Sequence, residues 1–337
     1  MSADAKRRVR RAVGLSLLFA PGALFLAGPA RPQGAARAIR LGYLDSGWAA
    51  PESEALLDSF RRGLRELGYS EGLNLSIAYR WAEGRYERLP ALARELAQSK
   101  PDLIVAAEAQ AARAARQAAS DLPIVVVAAV DPVGFGLIKS LARPGTNLTG
   151  LANVSPELTA KHLELLKETA PAVTRVAVVW NSANPLEVRL WRGRQAAART
   201  LGLELIPIEV RAPDDIAREL SSMMGQNPHA LHLFAEPVLR GRGAEIVAFA
   251  AKHRLPVVSD ASDITDAGGL MSYGVYLPAL FHRAARFVVR ILRGGNASEL
   301  PVEQPSRFEL VINLRTARAL GLAIPPSILV FADRVIA

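Results

Sequence analysis

From residue 39 onward, short runs of aliphatic and β-branched residues alternate with longer stretches whose apolar positions recur every three to four residues. That alternation is the signature of βαβ units feeding a parallel sheet. Ile39 to Leu44 reads as a strand, and Ala55, Leu56, Phe60, Leu64 and Leu67 then fall on one helical face before Gly68 offers a C-cap. Strands follow at Leu75 to Tyr79, Leu103 to Ala107 and Pro123 to Ala129, with helices at Leu89 to Gln98 and Ala109 to Ala119 between them. Four strands joined by three right-handed crossovers make one α/β unit. After Gly150 the same grammar repeats. Helices are predicted at Pro156 to Thr169, Leu186 to Leu201, Asp214 to Met224 and Val238 to His253, and strands at Arg175 to Trp180, Glu204 to Glu209, Ala230 to Ala235 and Val257 to Ser259. Two series of similar length predict two similarly built α/β lobes, with a break where Gly145, Thr146, Asn147, Gly150 and Pro156 cluster and a cleft between them.

Composition agrees with that picture. Of 337 residues 50% are hydrophobic and 22% charged, which excludes disorder for the bulk of the chain and suits two compact units. The formal charge of +9 suggests a nucleic-acid partner until its distribution is considered: residues 1–38 carry +6 and leave +3 for everything after them. A nearly balanced body argues against nucleic acid. The front segment has a basic stretch from Lys6 to Arg11, an apolar run from Ala12 to Ala27 and a small-residue end at Ala36-Arg37-Ala38, the layout of a signal peptide cleaved near Ala38. Its apolar run is interrupted by Pro21-Gly22 and is shorter than the roughly 20 residues of a membrane span. The pairs Arg7-Arg8 and Arg10-Arg11 leave twin-arginine export open beside the general route. The chain has no cysteine, which removes disulfides, thiolate nucleophiles, cysteine-ligated metals and a lipid-modified N-terminal cysteine.

Ligands of open parallel sheets bind beyond the carboxyl ends of the strands. This rule selects Asp45, Ser46 and Trp48 after the first strand, Glu108 after the third, Asp131 after the fourth, Asn181 and Asn184 after Trp180, Glu236 after Phe234, and Asp260 and Asp263 after Ser259. Each is also a residue type favoured at helix N-caps and turns. No phosphate-binding glycine motif follows the first strand, where Asp45-Ser46-Gly47-Trp48 stands, and there is no nucleophile elbow. His229 and His232 would point to opposite faces of a strand, and His162, His253 and His282 have no partner at ligand or triad spacing, so neither a metal site nor a catalytic residue is expected, and no cofactor. Carboxylates at the cleft suit a cationic or zwitterionic ligand.

Four separated stretches carry a resemblance. They are Asp131-Pro-Val-Gly-Phe-Gly-Leu-Ile138 with Ala142-Arg-Pro-Gly-Thr-Asn-Leu-Thr-Gly150; Gly268-Gly-Leu-Met-Ser-Tyr-Gly274; Leu300-Pro-Val-Glu-Gln-Pro305; and Phe308-Glu-Leu-Val-Ile-Asn-Leu314 with Ala319-Leu-Gly-Leu322. Together they resemble the ABC-transporter substrate-binding proteins of the tryptophan/tyrosine type over essentially the whole chain after the leader. The resemblance implies a type I periplasmic-binding-protein fold: two Rossmann-like lobes with parallel sheets, joined by a three-crossing hinge around a ligand cleft. It implies lobe 1 at 39–153 plus 271–297, lobe 2 at 154–270 plus 298–337, and hinge glycines at Gly268-Gly269 and Gly294-Gly295. The implied protein is a periplasmic monomer that closes on an amino-acid-like ligand and delivers it to an ABC permease with its ATPase. Asp45, Ser46, Trp48, Glu108, Asp131, Asn181, Glu236, Asp260 and Tyr273 would line the cleft, with Trp48 or Tyr273 against a ring. Where many relatives carry a small hydroxyl-bearing turn after the third strand, this chain has Ala107-Glu108-Ala109-Gln110, whose carboxylate repels an anion and attracts a cation. An exported enzyme using cleft carboxylates, and a binding protein feeding a sensor, remain alternatives.

Overall fold

The computed structural model describes residues 38–153, 156–234 and 236–337; the leader expected at the front lies outside them. The first series runs β1 (Ile39–Asp45), α1 (Pro51–Glu66), β2 (Leu75–Trp81), α2 (Leu89–Gln98), β3 (Leu103–Glu108), α3 (Ala109–Ala118), β4 (Ile124–Val130) and β5 (Leu148–Asn153). The second runs α4 (Pro156–Thr169), β6 (Arg175–Asn181), α5 (Pro185–Thr200), β7 (Glu204–Val210), α6 (Ile216–Met223), β8 (Ala230–Leu233), α7 (Pro237–Arg240), α8 (Gly243–Lys252), β9 (Val257–Ser259), α9 (Ser262–Asp266) and β10 (Met271–Val275). The chain ends with α10 (Leu277–Leu292), β11 (Phe308–Asn313), α11 (Leu314–Leu320), α12 (Pro326–Val330) and β12 (Arg334–Ile336).

Two sheets result. The first has the order β2-β1-β3-β4-β5, all parallel, and the second β12-β11-β10-β9-β8-β6-β7, parallel except where β10 meets β11. Because successive strand residues face opposite sides, β1 sends Leu41 and Tyr43 into the layer built by α1 and α10, and Leu44 into the layer built by α2 and α3. The second sheet is sandwiched likewise, α6 to α9 on one face and α4, α5, α11 and α12 on the other. Both strand orders reverse at one point: between β1 and β3 in the first sheet, and between β6 and β8 in the second. These reversals open crevices at the strand ends, and they govern where the site lies.

The crossings between lobes differ from expectation. Met271–Val275, expected to begin the return to lobe 1, is paired on both sides within the second sheet, Met271 with Val258 and with Ile312. The crossing falls after it, at Tyr276, and α10 then packs Leu280, Phe281, Ala284, Phe287 and Val288 into the lobe 1 core. The segment 298–303, expected in lobe 2, extends the lobe 1 sheet edge: Ala152 N–H donates to the Glu303 carbonyl at 2.8 Å, and the Thr149 hydroxyl to that of Leu300 at 2.7 Å. The final crossing therefore lies between Glu303 and Phe308. Neither glycine pair is a hinge. Gly268 closes the turn after α9, and Gly294 ends α10 with φ +94. The helix expected over Val238 to His253 is split into α7 and α8 at Gly241-Arg242. Strand β5 carries no β-rich run and was not predicted; Gly150, at φ +133, approaches the Val126 carbonyl so closely that no side chain fits.

Helix α10 is held to α1 at Gly63, where an added Cβ would overlap the His282 carbonyl and lie 2.9 Å from the Ala285 Cβ. Gly63→Ala should therefore destabilise the protein by about 1–3 kcal/mol, although alanine is the better helix former. Urea denaturation checks this; a stabilised variant would mean that the two helices are not in this close register.

Candidate functional site

The cleft lies between the two switch points. From lobe 1 the carboxyl end of β1 supplies Tyr43, Asp45 and Trp48, the end of β3 supplies Glu108 and Gln110, and the turn after β2 supplies Tyr86. From lobe 2 come Asn184 and Glu187 beyond β6, Phe234 and Glu236 beyond β8, Arg240 of α7, and Asp260 beyond β9. Phe281 of α10 closes the lobe 1 wall. Asp45 is aimed by its neighbours: its carboxylate accepts the Gly47 N–H at 2.7 Å and the Tyr43 hydroxyl at 2.8 Å.

The lobes are bridged across this cleft. The Gln110 amide donates to Asn184 Oδ1 at 2.7 Å, the Asn184 amide to Glu236 Oε1 at 2.5 Å, and the Tyr86 hydroxyl to Glu236 Oε2 at 2.6 Å. At the rim Arg85 pairs with Asp214 at 2.6 Å and Arg189 with Asp131. The Trp48 ring fits between Gly84 of lobe 1 and Gly241 of lobe 2; a Cβ at either glycine would overlap it. The break between α7 and α8 coincides with this seat.

Of the nine residues that the resemblance placed in the cleft, Asp45, Trp48, Glu108, Glu236 and Asp260 line it, as does the strand-end candidate Asn184, while Asp263 pairs with Arg240. Four of the nine do not. Ser46 is fully buried, with its carbonyl accepting the Gly84 N–H at 2.7 Å. Asn181 is fully buried and its Oδ1 accepts the Ala183 N–H at 2.9 Å. Asp131 sits at the rim in its pair with Arg189. Tyr273 stacks on Phe308 inside lobe 2, because β10 belongs to that sheet. Trp48 is less a free ring platform than a wedge between the lobes. Sequence reasoning missed Tyr43, Tyr86, Glu187, Phe234, Arg240 and Phe281. Tyr43 and Phe281 read as ordinary core positions, and Tyr86 lies in a short turn with no periodic signal.

Residues 50–336 match the family described as ABC transporter substrate binding protein. The chain belongs to that family. A tyrosine-binding protein of Clostridioides difficile strain R20291 is 24% identical over 272 residues, covering 81% of this chain and 78% of the relative. Among solved structures, the ABC domain in complex with L-Trp from Streptococcus pneumoniae superposes with a TM-score of 0.81 at 25% identity, covering 89% of this chain and all of that one. A ligand-free, open substrate-binding protein with adhesive properties from Clostridium difficile, also 25% identical, gives 0.62 over 89% of this chain and 99% of that one.

Behind the cleft wall of this substrate-binding protein, the Glu187 carboxylate pairs with the Arg194 guanidinium, both buried, and Arg194 lies 3.5 Å above the Phe234 ring. His232 Nε2 meets His162 Nδ1 at 3.1 Å, and His162 Nε2 meets the Tyr273 carbonyl at 2.5 Å, so each ring carries its proton on Nε2 and donates along the chain. Burial keeps both imidazoles neutral: that of His162 is lowered to about 4 and that of His232 well below the usual range. The cleft carboxyls move the other way. Burial raises Glu108 well above the carboxylate range, with the Asp45 charge adding to it, and burial raises Glu236 to about 7 with help from Glu187. Asp45 is raised by burial and restrained by the Gly47 N–H, the Tyr43 hydroxyl and Arg240.

A carboxyl whose folded pKa lies above its unfolded value holds its proton after the unfolded chain has lost it. Its contribution therefore falls as pH rises from about 4.5 to about 7 and stays low above that. In the absence of ligand, Glu236→Gln should gain stability relative to wild type across this window, by up to about 3 kcal/mol. Thermal unfolding of both proteins at intervals from pH 5 to pH 8 (about the window named) measures the difference; a difference that does not vary with pH would remove the assignment.

Proposed function

We propose that the protein is the extracytoplasmic solute receptor of an ABC importer, capturing a small ammonium-bearing solute, an amino acid or a related amine, by closing its lobes and handing it to a membrane permease. The observation that carries this reading is the set of cross-lobe hydrogen bonds from Tyr86 and Gln110 to the Glu236–Asn184 pair, formed around a cleft lined by carboxylates and aromatic rings. Closure brings together two half-sites, neither of which surrounds a ligand alone, so ligand binding shifts the open–closed balance by its differential affinity for the closed form. The higher similarity to the L-Trp complex than to the ligand-free open protein supports reading this arrangement as the closed form. The basic, apolar and small-residue order of residues 6–38 supports export.

Small-angle scattering with calorimetry tests it, using the purified protein and a panel of amino acids, amines, polyamines, nucleosides and carboxylates. A true ligand contracts the molecule, binds one per chain and is recovered unchanged. Gly241→Leu fills the seat of the Trp48 ring and should weaken that ligand at least about tenfold by obstructing closure. Conversion of the ligand to a product, or binding without contraction, would overturn the receptor reading.

A further inference from the structure

The cleft is short of positive charge. Five of its lining residues, Asp45, Glu108, Glu187, Glu236 and Asp260, are acidic, and Arg240 is the basic one. Glu187 is offset by Arg194 behind the wall. Arg240 gives its Nε and Nη2 to Asp263 at 2.9 and 2.7 Å, and Asp45 and Asp260 share its field. Carboxylate remains in excess.

Two of the helix starts at the cleft, those of α3 and α5, are occupied by the protein's own side chains, whereas the start of α1, at Ala50 and Ser53, has no side-chain cap. Glu108 is the N-cap of α3, and its Oε1 accepts the Ala111 N–H at 3.1 Å, so the protein's own carboxylate sits where a ligand anion would be held. At α5 the Asn184 side chain accepts the Leu186 N–H at 3.0 Å. A separate observation points the same way: Asn153 Oδ1, on a residue that lines the cleft, is buried and accepts no hydrogen bond from any described residue. What the cleft lacks is a countercharge for its carboxylates.

Resting on the receptor reading above, we propose that the ligand is an arylalkylamine: an ammonium on an apolar, aromatic body with no carboxylate beside it. An ammonium offers three donors and one positive charge to an acceptor-rich wall, and Tyr43, Tyr86, Phe234 and Phe281 suit both its charge and its ring. An amino acid could turn its α-carboxylate to the start of α1, but it would still enclose that charge in one cleft with Glu108, Asp45 and Glu236, and like charges there repel. Burial already holds Glu108 and Glu236 above their ordinary range, so an incoming ammonium displaces protons from the empty cleft.

Titration calorimetry on the purified protein with three matched pairs decides the matter: tyramine and tyrosine, tryptamine and tryptophan, phenethylamine and phenylalanine. The amine of a binding pair should be at least about tenfold tighter than its amino acid. Glu108→Gln keeps an oxygen for the Ala111 N–H and removes the charge, so it should bring that ratio towards one. An amino acid that binds as tightly as its amine overturns the proposal, as does a panel in which no member of any pair binds. An unchanged ratio in Glu108→Gln overturns the role given to Glu108. If the variant does not fold, the wild-type ratios still decide. The receptor reading fails separately, through the absence of ligand-induced contraction with every compound of the wider panel.

Discussion

One short chain of hydrogen bonds joins the two lobes across the cleft. Asn184 and Glu236 stand at the switch point of the second sheet and are joined to each other, and each receives one further bond from the first lobe, from Gln110 and Tyr86. The Asn184–Glu236 bond is buried and the two bonds from the first lobe are partly buried, where a lost partner costs more than in water. They also tie closure to the cleft itself, because Tyr86, Gln110, Asn184 and Glu236 all line it. The exposed pairs Arg85–Asp214 and Arg189–Asp131 at the rim lie in higher dielectric and add little by comparison. The lobes are therefore held together mainly inside the cleft.

That chain can be sensitive to a ligand because the wall behind it is rigid. Glu187 and Arg194 form a buried ion pair whose guanidinium covers Phe234, and two neutral histidines continue from His232 to the Tyr273 carbonyl. A buried ion pair is weak evidence of stability, but breaking it strands a charge. The side chains facing the cleft are thereby confined to a few orientations. Asp45 is fixed likewise from the other lobe by Tyr43 and Gly47.

The lobes, their strand-and-helix order and the ends of β1, β3, β8 and β9 as ligand-facing positions were legible in the sequence, because period-2 and period-3.6 patterns are strong in a two-layered parallel sheet. The carboxylates among the candidates were found by that topological rule alone. Lobe membership was harder. Met271–Val275 is apolar enough for either sheet, and only its pairing with β9 and β11 assigns it to the second. Residues 300–303 join the first lobe through edge hydrogen bonds that leave no trace in hydropathy. Asp131 fits the same strand-end rule as Asp45, but although Ala128 and Val130 of β4 line the cleft, the Asp131 carboxylate accepts the Gly134 N–H and pairs with Arg189, which keeps it at the rim. Cross-lobe partners such as Tyr86 lie about 150 residues from the groups they meet, beyond any local pattern.

The same acidity that is unfavourable in an empty cleft can serve recognition. Carboxyls enclosed between two lobes cannot all ionise without a countercharge, and the one nearby guanidinium is already engaged by Asp263. With no ligand present, protons supply that charge; with a cation present, the cation does, and the freed carboxylates become its hydrogen-bond acceptors. A neutral or anionic solute can do neither. It would leave the carboxyls protonated, and a protonated Glu236 puts a hydroxyl where the carboxylate accepts from Tyr86 or Asn184, which weakens the bond between the lobes. Selectivity for charge requires that a cation favour the joined lobes further than protons do, and the excess of acidic over basic residues in the cleft lining is the source of that difference.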